Sequence, residues 1–231
     1  MVPELTKTLP ELESVYFLKQ NRRPVHALDG ACTHIWGAKA LEDELMGLTF
    51  ALSPQSFFQV NSRQTEILYR CALEAAGLAE GCSARVLDAY CGVGTITLAA
   101  ARLCAHAVGV EIVPPAIADA KENARRNGLA DKARFICADA ALEIPKMIAG
   151  GERFDAAILD PPRKGAEEKL LNALVQAAPG RIAYVSCNPA TLARDVKLLS
   201  QAGYRLDWAQ PVDMFPWSGH VEAVAMMSKG G

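Results

Sequence analysis

From residue 84 onward, short apolar runs alternate with helix-periodic segments, and that alternation constrains the fold more than any other feature of the chain. Strands are predicted near 85–88, 106–111, 133–137, 154–159 and 181–186, with helices near 95–103, 115–127, 140–149, 166–177 and 190–202. A strand followed by a helix must return over the sheet before the next strand pairs, which gives an α/β, doubly wound, mostly parallel sheet. Two more apolar runs, near 204–210 and 221–227, are joined by Pro211 through His220, too few residues for a crossover helix with its turns. The last strand is therefore expected to enter antiparallel and complete a seven-stranded sheet. Such sheets take ligands at the carboxyl ends of their strands, so the residues just past each strand matter most.

Ahead of this pattern, residues 1–52 hold short β-branched and aromatic runs at 15–18, 33–36 and 48–52, broken by Asn21-Arg22-Arg23-Pro24, Asp29-Gly30 and Met46-Gly47. This is hairpin punctuation, and it predicts a small antiparallel β appendage at 1–52 beside a main domain at 53–231. The appendage begins abruptly and has no evident core, so the chain is expected to be the carboxyl-terminal piece of a longer protein. Ser53 to Asn61 reads as a loop carrying the aromatic pair Phe57 and Phe58, followed by a helix capped by Asn61 or Ser62 and ending at Gly77.

Composition excludes several classes. No run of 18 apolar residues occurs, so no membrane span is expected. Seven cysteines without any Cys-x-x-Cys pair argue against a metal site, an iron–sulfur cluster or a disulfide framework and fit a reducing, cytoplasmic setting. A formal charge of −2 and a pI near 6.1 announce no global field for nucleic acid, so any such partner must be held by local patches.

The strand ends carry the chemistry. Val86-Leu87-Asp88-Ala89-Tyr90-Cys91-Gly92-Val93-Gly94-Thr95 leads from the first strand of the alternation into its helix, with Gly92 and Gly94 admitting a ligand to the backbone and the helix amino end attracting negative charge. A dinucleotide loop would need a third glycine where Thr97 stands. Glu111 ends the next strand, where an acid can accept both hydroxyls of a ribose, and Asp139 follows the third, within reach of an adenine amino group. Helix capping is the alternative for both. Asp160-Pro161-Pro162 is a stiff turn that holds the Asp160 side chain against a planar base edge, because each proline fixes φ and restricts its predecessor. Arg163 and Lys164 follow, as phosphate contacts or as solvated charges. Tyr184-Val185-Ser186-Cys187-Asn188-Pro189 ends a strand on a thiol, which alone reads as a buried apolar residue.

Several of these stretches together carry a resemblance. Asp88-x-Tyr90-Cys91-Gly92-x-Gly94, Glu111, Asp139 and Asp160-Pro161-Pro162 resemble the S-adenosylmethionine-dependent methyltransferase fold. Ser53-Pro54-x-Ser56-Phe57-Phe58-Gln59-Val60-Asn61, Asp160-Pro161-Pro162-Arg163-Lys164-Gly165, Ser186-Cys187-Asn188-Pro189 and His220-Val221-Glu222 resemble the RNA uracil-C5 methyltransferases that make 5-methyluridine, especially their 23S ribosomal RNA branch. The resemblance implies that residues 53–231 are a catalytic domain using S-adenosylmethionine and releasing S-adenosylhomocysteine. It further implies cofactor contacts from Gln59, Tyr90, Gly92, Gly94, Thr95, Glu111, Asp139 and Asp160, a nucleophile at Cys187 and a base at Glu222. Substrate contacts are then expected from Phe57, Phe58, Asp160, Arg163 and Lys164, with ribosomal RNA as the partner of a monomeric chain. The β-barrel RNA-binding domain and cysteine cluster common in that family are not visible in this sequence.

The residue types suit that chemistry. C5 of uracil is a poor nucleophile until a thiolate adds at C6, and a carboxylate must then remove the C5 proton. A cytosine-C5 methyltransferase would use the same addition but typically carries Pro-Cys where Pro161-Pro162 stands. A non-catalytic RNA-binding module that keeps the fold is the alternative from another class.

Overall fold

The structure is a computed structural model that describes residues 2–20 and 30–230. The turn expected at Asn21-Arg22-Arg23-Pro24, together with Asp29, lies outside the described residues. A helix not anticipated from sequence, α1 (Val2–Thr8), has no buried residue. It precedes an antiparallel pair, β1 (Ser14–Gln20) and β2 (Gly30–Gly37). A second antiparallel pair joins β3 (Leu41–Leu45) to β4 (Leu48–Leu52). Their connection, Met46 and Gly47, has φ of 55° and 69°, the two positive values that a tight hairpin turn with the right twist requires.

The remaining chain follows the predicted alternation. Helix α2 (Ser62–Ala75) leads into β5 (Arg85–Ala89), α3 (Thr95–Leu103), β6 (His106–Glu111), α4 (Pro114–Arg126) and β7 (Ala133–Cys137). Then come α5 (Ala140–Ala149), β8 (Ala156–Leu159), α6 (Glu168–Ala177), β9 (Arg181–Ser186), α7 (Pro189–Gln201), β10 (Tyr204–Val212) and β11 (Glu222–Lys229). The seven-stranded sheet runs β10-β11-β9-β8-β5-β6-β7, with β11 antiparallel to both neighbours, as the short connection before it demands. From β5 the chain steps outward through β6 and β7, and with β8 and β9 it proceeds the opposite way. The crevice between β5 and β8 is thus the topological switch point where such sheets bind ligands.

Both faces of the sheet are covered, which explains why the strands read as continuous apolar runs. Along β5, Val86 enters a core with Leu68, Leu98 and Ile117, while the next residue, Leu87, enters one with Ile144, Leu170 and Leu199. The β3–β4 pair also joins the first core, through Leu45, Leu48 and Phe50, and the Ala51 amide donates to Asn123 Oδ1 at 2.8 Å. Among the described residues no helix is long and apolar enough to cross a membrane.

Candidate active site

All the strand-end residues singled out in sequence fall on one edge of the sheet. Gly92 follows β5, Glu111 ends β6, Asp139 follows β7, Asp160 follows β8 and Cys187 follows β9, while Glu222 opens β11, which starts at that same edge because it runs antiparallel.

On the β5–β7 side, Tyr90, Gly92 and Gly94 all have left-handed backbone, with φ of 84°, 53° and 87°. A Cβ at Gly92 would meet nothing within 4 Å, so the backbone there is open to a ligand. At Gly94 it would come within 2.8 Å of the Phe135 ring, so that glycine admits a packing neighbour from β7. The Glu111 carboxylate accepts from the Gly92 amide at 3.3 Å and from the Val113 amide at 3.0 Å. Asp139 caps α5 by accepting from the Ala141 amide at 2.8 Å. Thr95, at the start of α3, shares a 3.0 Å hydroxyl contact with Tyr69. Below the loop, Asp88 is 1% exposed and accepts from the Thr97 hydroxyl at 2.6 Å, while its Oδ1 has no partner. Burial pushes Asp88 up to about 7 against the Thr97 hydrogen bond, and Glu111 adds to the rise. An orphaned buried acceptor, an open glycine backbone and strand-end carboxylates suit a cationic nucleoside such as S-adenosylmethionine.

On the β8–β11 side, Ala223 pairs with Ser186 as the last pair of the ladder, so Glu222 and Cys187 flank that pair on adjacent strands, near enough for the Glu222 charge to act on the thiol. Arg163 points its Nη2 at His220 Nδ1, 2.8 Å away. Arg163, Cys187, Asn188, Pro189, Gly219, His220 and Val221 line a shallow cavity of about 400 Å³. The turn under the thiol is fixed twice: Ser186 Oγ accepts from the Asn188 amide at 3.1 Å, and Asn188 Oδ1 caps α7 at the Ala190 amide. Burial raises Cys187, Glu222 and Asp160 raise it further, and the Arg163 guanidinium opposes them. Burial, with Glu222 and Asp88 adding to it, pushes Asp160 up to about 7. Glu222 is also raised by burial and relieved by Arg163.

The family model described as tRNA (Uracil-5-)-methyltransferase matches residues 42–230. The chain belongs to this RNA uracil-5-methyltransferase family. An uncharacterized RNA methyltransferase of Halalkalibacterium halodurans is 45% identical over 98% of this chain and 49% of its own length. One from Caldanaerobacter subterraneus is 43% identical over 99% of this chain and 50% of its own. The chain thus spans about half the length of the curated relatives it matches. Among solved structures, the Pyrococcus abyssi tRNA (uracil-54, C5)-methyltransferase in complex with S-adenosyl-L-homocysteine is 34% identical, with TM-score 0.76 over 96% of this chain and 52% of that one. Trm5b of Pyrococcus abyssi, 18% identical with TM-score 0.66, shares the fold. The seven-stranded sheet is thus the S-adenosylmethionine-dependent methyltransferase fold.

Within this family member, the expected substrate residues are placed unevenly. Phe57 is 75% exposed, whereas Phe58 packs on Phe50 with ring centroids 5.8 Å apart, so only Phe57 presents an open ring. Gln59 is half-buried beside them. Lys164 pairs with Glu167 at 2.9 Å within its own loop. Sequence reasoning missed the two acids that hold these loops. Asp195 is fully buried and accepts from the Ala166 amide at 2.9 Å, the Tyr184 hydroxyl and Arg194 Nε, which clamps the loop after Pro162. Asp119 accepts from the Ser56 hydroxyl and the Ser53 amide, which clamps the loop before α2. The signal for Asp195 was present: it falls on the apolar face of α7, three residues past Leu192 and four before Leu199.

Proposed function

We propose that this chain is the catalytic part of an RNA methyltransferase that adds a methyl group to C5 of a uridine, in 23S ribosomal RNA, through a covalent bond between Cys187 and C6. The observation that supports the reading is the register of β9 against β11, whose last pair, Ser186 and Ala223, is flanked by Cys187 and Glu222, with Arg163 lining the same cavity as Cys187. The family match supports uracil over cytosine as the base. Gln59, Tyr90, Gly92, Gly94, Thr95, Glu111, Asp139 and Asp160 would hold S-adenosylmethionine, which supplies an electrophilic methyl group on a sulfonium when bound.

The chain's own residues divide the remaining work. The Cys187 thiolate adds to C6, and the π electrons of C5–C6 move into an enolate whose C5 becomes nucleophilic. Arg163 favours the thiolate against burial and the neighbouring carboxylates. Asp160, pushed up to about 7, is partly protonated near neutrality and can donate to a uracil carbonyl as enolate charge gathers there. Once C5 carries both methyl and hydrogen, Glu222 takes the proton. The C5–H electron pair restores the C5–C6 double bond and the C6–S bond breaks, returning the Cys187 thiolate. A stacked uridine hides C5 and C6, so it must be extruded to reach the cavity, and Phe57 is an open stacking partner for an unstacked base.

Motif likeness to the 23S branch favours ribosomal RNA. The named substrate of the Pyrococcus abyssi relative favours transfer RNA as the second reading. We also place this chain as a monomer in the cytoplasm, with a catalytic unit starting near residue 41, because β3 and β4 share its core. The test is incubation with labelled cofactor and either RNA, followed by nucleoside mass spectrometry. Labelled 5-methyluridine from 23S RNA is expected. Label in 5-methylcytidine, or none in either RNA while cofactor is bound, overturns the reading.

A further inference from the structure

The loop between β10 and β11 carries a side chain that nothing above uses. Trp217 is 105% exposed, and its backbone has φ of 72°, a conformation that a bulky residue seldom adopts. The Ser218 amide donates to the Phe215 carbonyl at 3.1 Å, closing a four-residue turn with Pro216 second and Trp217 third. Proline second and positive φ third is the pattern of a type II turn, whose third position favours glycine or asparagine. The Ser218 hydroxyl also donates to the Phe215 carbonyl at 2.8 Å and accepts from the His220 amide at 3.2 Å, so the turn is held firmly. A tryptophan here is strained, fully wetted and without a hydrogen bond or ring contact among the described residues. Such outliers persist where the surroundings hold them and cluster at ligand-binding sites.

Its position names the ligand. Two residues on, Gly219 begins the stretch Gly219-His220-Val221 that lines the Cys187 cavity, and His220 holds Arg163 there. At the other end of the loop, the Met214 carbonyl accepts from Asn61 Nδ2 at 3.0 Å, which ties this turn to the segment bearing the exposed Phe57 and Val60. The cavity lining supplies a guanidinium, the loop that feeds that lining carries an open indole, and the segment tied to the loop carries an open phenyl ring, the residue types that engage unstacked bases and their phosphates. We propose that Trp217 is a stacking platform for a nucleobase adjoining the nucleotide presented to Cys187. The proposal rests on the RNA reading above and adds a base-binding site outside the reacting uridine.

The experiment uses the whole chain with S-adenosylmethionine and a short single-stranded oligouridylate containing one 5-fluorouridine, with affinity read by fluorescence anisotropy on Cys187→Ala backgrounds and trapping by denaturing gel. Trp217→Gly relaxes the turn, so its thermal midpoint should equal or exceed the parent's, while its affinity falls roughly five- to one-hundred-fold, the range for one base stacked on an aromatic ring. Trp217→Phe should recover most of that loss. An abasic residue beside the 5-fluorouridine should weaken the parent but not Trp217→Gly. Parent that traps RNA while Trp217→Gly binds equally overturns the platform alone. Parent that neither binds nor traps any RNA overturns the RNA reading and the platform with it. A dimer that dissolves on Trp217→Gly with RNA affinity unchanged makes the tryptophan an interface between copies and also overturns the platform.

Discussion

At the ends of β6 and β7, Glu111 accepts from the Val113 amide and from the Gly92 amide of the loop after β5, and Asp139 accepts from the Ala141 amide through one oxygen, so both carboxylates are oriented before any ligand arrives. Across the switch point, the side-chain carboxylates of Asp160 and Glu222 accept no hydrogen bond among the described residues, and both are pushed up by burial. Under the proposed function, the contrast corresponds to two tasks along one sheet edge. Acceptors that orient a ligand work best when held rigidly by the scaffold. Groups that exchange protons must sit where either protonation state is accessible, and an unpaired carboxylate beside another achieves that at the expense of folded-state stability.

The largest effect should come from Cys187. Cys187→Ala should lose all covalent adduct with 5-fluorouridine RNA and lower turnover by about four orders of magnitude or more, yet bind cofactor as the parent does in calorimetry. Lost cofactor binding would mean that the two sides are one unit and would break the contrast. Glu222→Gln should act later. Addition and methyl transfer proceed, proton loss at C5 stalls, and a methylated, RNA-linked protein accumulates as a shifted band, with turnover down by about two to four orders of magnitude. Normal turnover in that variant would remove the base from the proton-exchanging side.

Asp195 tests how the second side is braced. Removing its carboxylate leaves the buried Tyr184 hydroxyl without its acceptor and the Ala166 amide with only the Tyr184 oxygen, so Asp195→Ala should cost about 2 kcal/mol in chemical denaturation. A loss below about 0.5 kcal/mol would show that the loop after Pro162 is held by other contacts. This residue also marks where sequence reading stopped. The helices and strands after residue 84 were legible because the central strands β5, β6, β8 and β9 are buried on both faces and read as apolar runs between helix-periodic segments. The meeting of Cys187 and Glu222 was legible because a ten-residue connection forces an antiparallel return. An acid on the apolar face of α7 marks Asp195 as buried, but its partner Ala166 is 29 positions away, and Asp119 and Ser56 are 63 apart, so no local pattern names the partner in either clamp. Strand β3 was missed for another reason: Leu41-Glu42-Asp43-Glu44-Leu45 exposes its acids and buries only its last residue, so no alternation shows.

On the cofactor side the expected change is smaller and of a different kind. Glu111→Ala removes a charged acceptor together with the brace on the Gly92 amide, and should weaken S-adenosylmethionine about ten- to one-hundred-fold by calorimetry. Saturating cofactor should then restore trapping by Cys187. Unchanged affinity would place the nucleoside elsewhere on the edge.

The smallest effect is a pH dependence of stability, and its sign follows from which state holds the proton. Asp160 ordinarily titrates near 3.8 and is pushed up to about 7 in the folded chain. Between those values the folded state binds a proton that the unfolded state has released, so stability falls as pH rises across that window and the full penalty is present above it. Asp88 behaves alike, which means that Asp160→Asn should reduce the slope without abolishing it. Asp160 is half-buried, so water screens part of the shift, and the variant should lose about 1 kcal/mol less than the parent between about pH 5 and about pH 8 in urea titrations. A variant with the parent's slope would show that Asp160 does not hold that proton. Glu222 would then stand alone as the exchanging carboxylate, and the hydrogen bond to a uracil carbonyl would need another donor.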